Sequence, residues 1–314
     1  LLPNYGGSAF VWIASVLFFQ VGLLIGYLYA YLLAKYFEPR KQAAVHLGIL
    51  VVSFYFLPIS LKETSWIATQ ILPLQVFLIL TMGVMLPYVV ISASTPLMQH
   101  WFHKLRPASS PYVFYAFSNA GSLIGLFLYP FLLEMWLPLP SQFSLWTALY
   151  WTYALFCTLA ALWVFLKAPK MENISSNYVI SSKSLFTWLA LPCLSSTVLV
   201  SSTCFVSQNM INMPLIWVIP MALYLISFII TFAKPKGYTK QFWTQMFIVW
   251  LILFSWLIFK NLINNYDALI VTFALMYSGL MVCHGELAAS KPDPKHLTLF
   301  YLLIALGSVL GSLF

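Results

Sequence analysis

Apolar residues run through this chain in ten long blocks separated by polar gaps, at 8–34, 43–61, 68–92, 112–133, 142–166, 185–207, 212–233, 243–259, 267–287 and 297–314. Most approach or exceed the roughly 20 residues a helix needs to cross a hydrocarbon core. Stretches such as 71–91 and 143–166 are apolar on almost every face. They lack the alternation of period two that a lipid-facing barrel strand requires. The pattern predicts an all-α, polytopic transmembrane helical bundle of about ten spans. Pro73, Pro87, Pro130, Pro192 and Pro220 fall inside or near the ends of these blocks and predict kinks. Trp12, Trp66, Trp101, Trp136, Trp146, Trp217 and Trp243 fall near block ends, as interface anchors do.

Charge gives the spans a direction. Charged residues make up only 7% of the chain, far below the roughly 25% of ordinary globular domains, so the bilayer is expected to be the outer solvent. Of fifteen Lys and Arg, thirteen fall in alternate gaps, and only Lys62 and Lys260 fall on the other side. Basic residues are retained on the cytoplasmic side of short loops. Segments 35–42, 101–111, 167–184, 234–242 and 288–296 are therefore expected in the cytoplasm, with Leu1 outside. The net charge of +8 is accounted for by these topology charges, and no nucleic-acid partner is expected. The four cysteines lie in or beside apolar blocks and read as small hydrophobes. Asn173-Ile174-Ser175 fits a glycosylation sequon but falls in a segment expected to be cytoplasmic.

One internal similarity organises the spans. Phe114-Tyr115 leads into Gly121-Ser122-Leu123-Ile124-Gly125, and Phe300-Tyr301 leads into Gly307-Ser308-Val309-Leu310-Gly311. The two copies lie six spans apart, and an even number preserves direction, so the repeat is parallel. Parallel halves of six helices are the plan of major facilitator carriers. On that plan residues 1–166 form an N-terminal half, 167–184 a cytoplasmic connector and 185–314 a C-terminal half. Both ends are then expected to be truncated, with one helix missing at each.

Several segments together carry a resemblance. They are Gly6-Gly7-Ser8 with Phe18-Phe19-Gln20 and 26–30; 92–102, including Ser94-Thr95-Pro96; 115–122, including Ser118-Asn119-Ala120; Trp217-Val218-Ile219-Pro220; and Cys283-His284-Gly285-Glu286-Leu287. In this order they resemble the membrane region of bacterial spermidine-synthase-like integral membrane proteins, in which facilitator-like segments are fused to a spermidine-synthase-like domain. The resemblance implies a bacterial inner-membrane location and, in some members, an aminopropyltransferase-like domain as partner. These residues contain no strand, Gly-rich turn and helix unit with a following acidic residue to hold a nucleoside, so the transferase activity does not carry over to them.

Candidate chemistry is sparse. Glu286 and His284 close the ninth block, and Gln99 and His100 hold the matching place after the third. A carboxylate near a membrane is costly unless paired or hydrated, and pairing of Glu286 with Lys104 or Arg106 would make a cytoplasmic gate; the alternative is a helix end in headgroup water. Gln20, Asn119 and Gln75 are polar groups in apolar spans, suited to a substrate path or to hydrogen bonding between helices. Gly121, Gly125, Gly307 and Gly311 form small-residue pairs suited to close helix packing. Cys283, His284, Glu286, His100 and His103 include potential metal ligands, but Cys283 and His284 are adjacent and diverge on a helix, and no ligand spacing supports a site. No metal and no cofactor are expected, and no catalytic constellation is present.

The seven acidic residues decide the solute class. Glu38, Glu63, Glu172 and Asp293 are expected in loops, and Glu134, Asp267 and Glu286 at span ends. A polycation in a carrier cavity needs buried carboxylates. The reading is thus a carrier-like domain moving a small, non-polycationic solute of unknown identity. Its rival is a non-transporting anchor or substrate-delivery module for an aminopropyltransferase-like domain.

Overall fold

The computed structural model describes residues 9–59, 71–168, 180–209, 217–233, 238–263 and 266–313. Among them the chain is all helix, without strands, in ten helices. We label them α1 (Ala9–Tyr36), α2 (Pro39–Ser53), α3 (Leu72–Leu105), α4 (Val113–Leu128), α5 (Leu139–Lys167), α6 (Ser182–Asn209), α7 (Val218–Ala233), α8 (Lys240–Phe259), α9 (Tyr266–Ala289) and α10 (Leu297–Ser312). A π turn (Tyr129–Leu133) and a last turn (Glu134–Trp136) prolong α4. Each helix falls on one predicted block. Eight are long and apolar enough to cross a bilayer, α10 together with the 3-10 turn Pro294–His296 that leads into it; α2 and α7 are shorter, at 15 and 16 residues. The protein is a multi-pass membrane protein. Gly6-Gly7-Ser8, Lys62, Trp66, Lys234, Lys236, the sequon and most of the connector 167–184 lie outside the described residues.

Two helix boundaries differ from the sequence expectation. Helix α3 runs on through Pro87 and Pro96 to Leu105, where a loop was expected from residue 101. Ser92 and Ser94 do not break it, because their hydroxyls donate back to the carbonyls of Tyr88 and Val90, at 2.7 and 3.0 Å. Ala93, Leu97 and Trp101, spaced by four, are all buried and hold the extension in a core. At about 1.5 Å per residue its 34 residues span about 51 Å, more than the hydrocarbon thickness. Helix α2 starts at Pro39, whose missing N–H is no loss at a first position. Arg40 and Lys41 are therefore helical, and the expected loop 35–42 shrinks to a short corner.

The chain forms two compact units. One comprises Leu1–Ser109, Leu137–Ser176 and Pro294–Ala305; the other comprises Ser110–Trp136, Asn177–Asp293 and Leu306–Phe314. Thus α4 joins the second unit, and the first part of α10 joins the first.

In the first unit, α1 and α3 approach closely: a Cβ on Gly26 would come within 2.8 Å of Ser92 Cβ. Ala30, Leu33, Ala43, Ala93, Leu97, Trp101, Ala161 and Val164 form a core shared by α1, α2, α3 and α5. A neighbouring cluster joins Leu50 and Val90 to Tyr150, Ala154 and Cys157. Because lipid is as apolar as these side chains, the gain is van der Waals packing and hydrogen bonding between helices rather than water release.

In the second unit, Tyr115 of α4 packs edge-on against Phe228 of α7, with ring centroids 5.4 Å apart, and also touches Phe232. Leu257 of α8 packs with Ala268 and Val271 of α9. Large apolar side chains such as Phe117, Ile124, Ile252 and Phe259 face outward, as a hydrocarbon solvent permits.

Candidate functional site

Each unit holds a polar cluster among apolar side chains. In the first, Gln99 and His100 sit near the end of α3, with only 2% and 5% of their surface exposed. Tyr301 of α10 donates its hydroxyl hydrogen to Gln99 Oε1 at 2.8 Å, and its ring lies 6.2 Å from that of Tyr27 on α1. Gln99 Nε2 and both ring nitrogens of His100 are buried without a hydrogen-bond partner among the described residues. Trp101 Nε1 donates to Gln42 Oε1 at 2.8 Å, and Gln42 Nε2 donates to the carbonyl of Phe37 at 2.7 Å. Tyr29 hydrogen-bonds His46 Nδ1 at 3.3 Å.

In the second unit, His284 of α9 is completely buried. Its ring stacks on Phe228, centroids 3.6 Å apart, and meets Tyr224 edge-on at 4.9 Å. Its Nδ1 hydrogen-bonds Ser227 Oγ at 2.7 Å, while Nε2 has no partner among the described residues. Two residues on, Glu286 accepts from Lys240 Nζ at 2.7 Å and from Tyr238 OH at 3.1 Å. The partner is Lys240, at the start of α8, rather than the expected Lys104 or Arg106. Gly285 leaves room for the Tyr238 ring, which an added Cβ would push aside. Burial, and after it the Glu286 charge, push the Tyr238 hydroxyl pKa well up.

A third group surrounds Lys291, just after α9. Its Nζ lies 5.3 Å from the Tyr112 ring centroid and 5.2 Å from that of Phe232, within cation–π range. Tyr112 OH donates to the Pro292 carbonyl and Trp188 Nε1 to the Ser290 carbonyl, both at 2.8 Å. Burial lowers the Lys291 pKa and raises that of Tyr112, with Asp293 adding to the second effect.

Other expected residues are more modestly placed. Gln20 is half-buried on α1. Asn119 is half-buried, and its Nδ2 donates to the Tyr115 carbonyl of its own helix at 2.7 Å. Gly307 and Gly311 lie against the α6 backbone, where an added Cβ would collide with the carbonyl oxygens of Leu189 and Cys193. At Gly121 and Gly125 an added Cβ meets nothing within 4 Å. Gln42, His46 and Ser227 are polar and fully buried, and sequence reasoning passed over all three. Gln42 lay in an expected loop, and Ser227 is a single hydroxyl in an apolar block. No protein-family model matches the chain, and no curated protein matches it.

Proposed function

We propose that the chain is the membrane part of a carrier with facilitator-like parallel halves, akin to the membrane region of spermidine-synthase-like membrane proteins. On this reading it lies in a bacterial inner membrane with its basic segments in the cytoplasm, and it moves a small, non-polycationic solute. The observation that carries the reading is the set of buried polar nitrogens with no partner among the described residues: Gln99 Nε2, both ring nitrogens of His100, and His284 Nε2. A buried donor or acceptor left unpaired costs about 1–3 kcal/mol, so retaining several calls for water or a solute that satisfies them. They lie near the ends of α3 and α9, the helices the repeat relates.

Two further features support it. The repeat-related Tyr115 and Tyr301 are each seated in the unit built largely by the other half of the chain, Tyr115 on Phe228 of α7 and Tyr301 beside Tyr27 of α1. An exchange of equivalent helices is what a parallel repeat produces. Among the described residues, every acidic side chain within a helix lies near a helix end, which disfavours a polyamine as cargo.

The test is uptake into proteoliposomes of a panel of radiolabelled neutral, zwitterionic and monovalent solutes, with spermidine alongside. Uptake of at least one non-polycationic solute, abolished by Gln99→Leu and by His284→Phe, is expected. Saturable spermidine uptake, or no uptake across the panel, overturns the proposal.

A further inference from the structure

Lys291 is a half-buried cation whose ammonium meets two rings and no carboxylate. Nζ lies 5.3 Å from the Tyr112 ring centroid and 5.2 Å from that of Phe232. Among the described residues it makes no ion pair and no hydrogen bond. An ammonium carries three N–H donors and no acceptor. Ring faces attract its charge but do not supply three oxygen acceptors. A cation withdrawn from water without a counter-ion is costly. Burial lowers the pKa of this one, and no neighbouring charge raises it back.

The segment that carries Lys291 holds it in that setting. The Ser290 N–H closes α9 on the Glu286 carbonyl at 3.0 Å. The carbonyls on either side of Lys291 are both taken, that of Ser290 by Trp188 Nε1 and that of Pro292 by Tyr112 OH. The acceptors nearest in sequence are thus committed to aromatic donors and not to the ammonium. Phe232 is fixed in turn by the rings of Tyr115 and Phe228, at 4.9 and 5.7 Å. Asp293 is exposed, and its charge bears on Tyr112 rather than on Lys291. All of these residues belong to the second unit.

We infer that Lys291, flanked by Tyr112 and Phe232, binds the anionic oxygens of a carboxylate or a phosphate. Such an anion supplies the acceptors that the protein withholds, through charge-assisted hydrogen bonds. Lysine acts as a point charge and does not demand the bidentate geometry of a guanidinium, so one carboxylate or one phosphate oxygen is enough. The two rings then shield the pair from water on the protein side, which strengthens it. The same oxygens come from a free solute or from the headgroup of an anionic lipid. The inference goes beyond the carrier reading and stands apart from it, because binding is read without transport.

The experiment follows acetylation of Lys291 by N-hydroxysuccinimidyl acetate in the purified protein in an uncharged detergent. Exposed Lys183 on the same molecules is the control, and mass spectrometry reads both. Sodium phosphate and sodium acetate are compared with sodium chloride at equal ionic strength, and phosphatidylglycerol with phosphatidylcholine in mixed micelles. With a bound anion Lys291 should react about fivefold more slowly, because a counter-ion keeps the amine protonated, while Lys183 is unchanged. Protection by phosphate or acetate assigns a free anion, and protection by phosphatidylglycerol alone assigns a lipid headgroup. The protecting ligand should also raise the unfolding midpoint of the parent and of Lys291→Arg, and less so that of Lys291→Met. Equal reaction of Lys291 under all conditions overturns the inference and leaves the ammonium hydrated. So does equal slowing of Lys183, protection matched by phosphatidylcholine, or a midpoint rise undiminished in Lys291→Met.

Discussion

Tyr301 and Gln99 are 202 residues apart and share a buried hydrogen bond, Tyr301 OH to Gln99 Oε1 at 2.8 Å. Hydrogen bonds between membrane helices average somewhat under 1 kcal/mol, while a buried acceptor left alone costs about 1–3 kcal/mol. Tyr301→Phe leaves Gln99 Oε1 without its donor and should lower stability in detergent by about 1 kcal/mol. Gln99→Leu removes an amide nitrogen that already lacks a partner among the described residues, but it also removes the acceptor of the buried Tyr301 hydroxyl, so alone it should cost stability too. The double variant, which removes both ends of the bond, should be more stable than either single variant in thermal unfolding. If the double variant is no more stable than Tyr301→Phe alone, Gln99 is a packing residue and the argument for a solute contact fails.

The two glycine pairs should respond oppositely to one methyl group. At Gly311 a Cβ would strike the Cys193 carbonyl oxygen, which is backbone and cannot step aside. Gly311→Ala should therefore cost about 1–3 kcal/mol by forced overpacking. At Gly121 the methyl meets nothing within 4 Å, and Ala is the better helix former by about 1 kcal/mol in water. Gly121→Ala should leave the unfolding midpoint of the 314-residue chain unchanged or raised. Equal losses at the two positions would show that their surroundings are alike.

How much of this was legible in the sequence varies with the level. The ten helices could be read from apolar block length, because a bilayer imposes a minimum that composition reveals. The extension of α3 past Pro96 could not, since Ser92-Ala93-Ser94-Thr95-Pro96 has the composition of a loop. What keeps it helical is tertiary, namely the burial of Leu97 and Trp101 against α1, α2 and α5. His284 and Gln99 stood out as polar residues at apolar block ends. Ser227, the partner of His284, did not, because a single hydroxyl in an apolar block carries no directional signal, and Tyr301 was read only as a mark of the repeat, not as the partner of Gln99. Glu286 was visible as a costly carboxylate, but sequence alone could not choose among neighbouring cations, and Lys240 wins because α8 starts beside the end of α9.

Glu286 and Lys240 make an exposed pair, with 30% and 67% of their side-chain surface accessible. Solvent and salt screen such pairs to about 1 kcal/mol or less, so Glu286→Gln should scarcely change the unfolding midpoint. A gate, by contrast, depends on charge order rather than net stability. Uptake should fall in Glu286→Gln and in Lys240→Met, and partly return in the exchanged pair Glu286→Lys with Lys240→Glu. If the exchange restores nothing while the single variants remain folded, the pair is not what controls access.

Lys291 gives the protein a stability that depends on pH in the alkaline range. Burial lowers its folded pKa below the ordinary 10.5, so between that lowered value and 10.5 the unfolded chain binds more protons than the folded one. Stability then rises with pH through that window. Tyr112 and Tyr238 act in the opposite sense. Their folded pKa values are raised above the ordinary 10.0, so the stability they contribute is complete below 10.0 and is lost above it. With the four cysteines replaced by Ala, so that no thiol titrates, the rise from Lys291 should be seen alone below about pH 10. In detergent the unfolding midpoint of this cysteine-free protein should climb as pH approaches 10, and Lys291→Met should flatten that climb by removing the titrating ammonium from between Tyr112 and Phe232. A climb that survives in Lys291→Met would assign it to another group and leave the Tyr112–Lys291–Phe232 cluster a packing contact without a role in pH response.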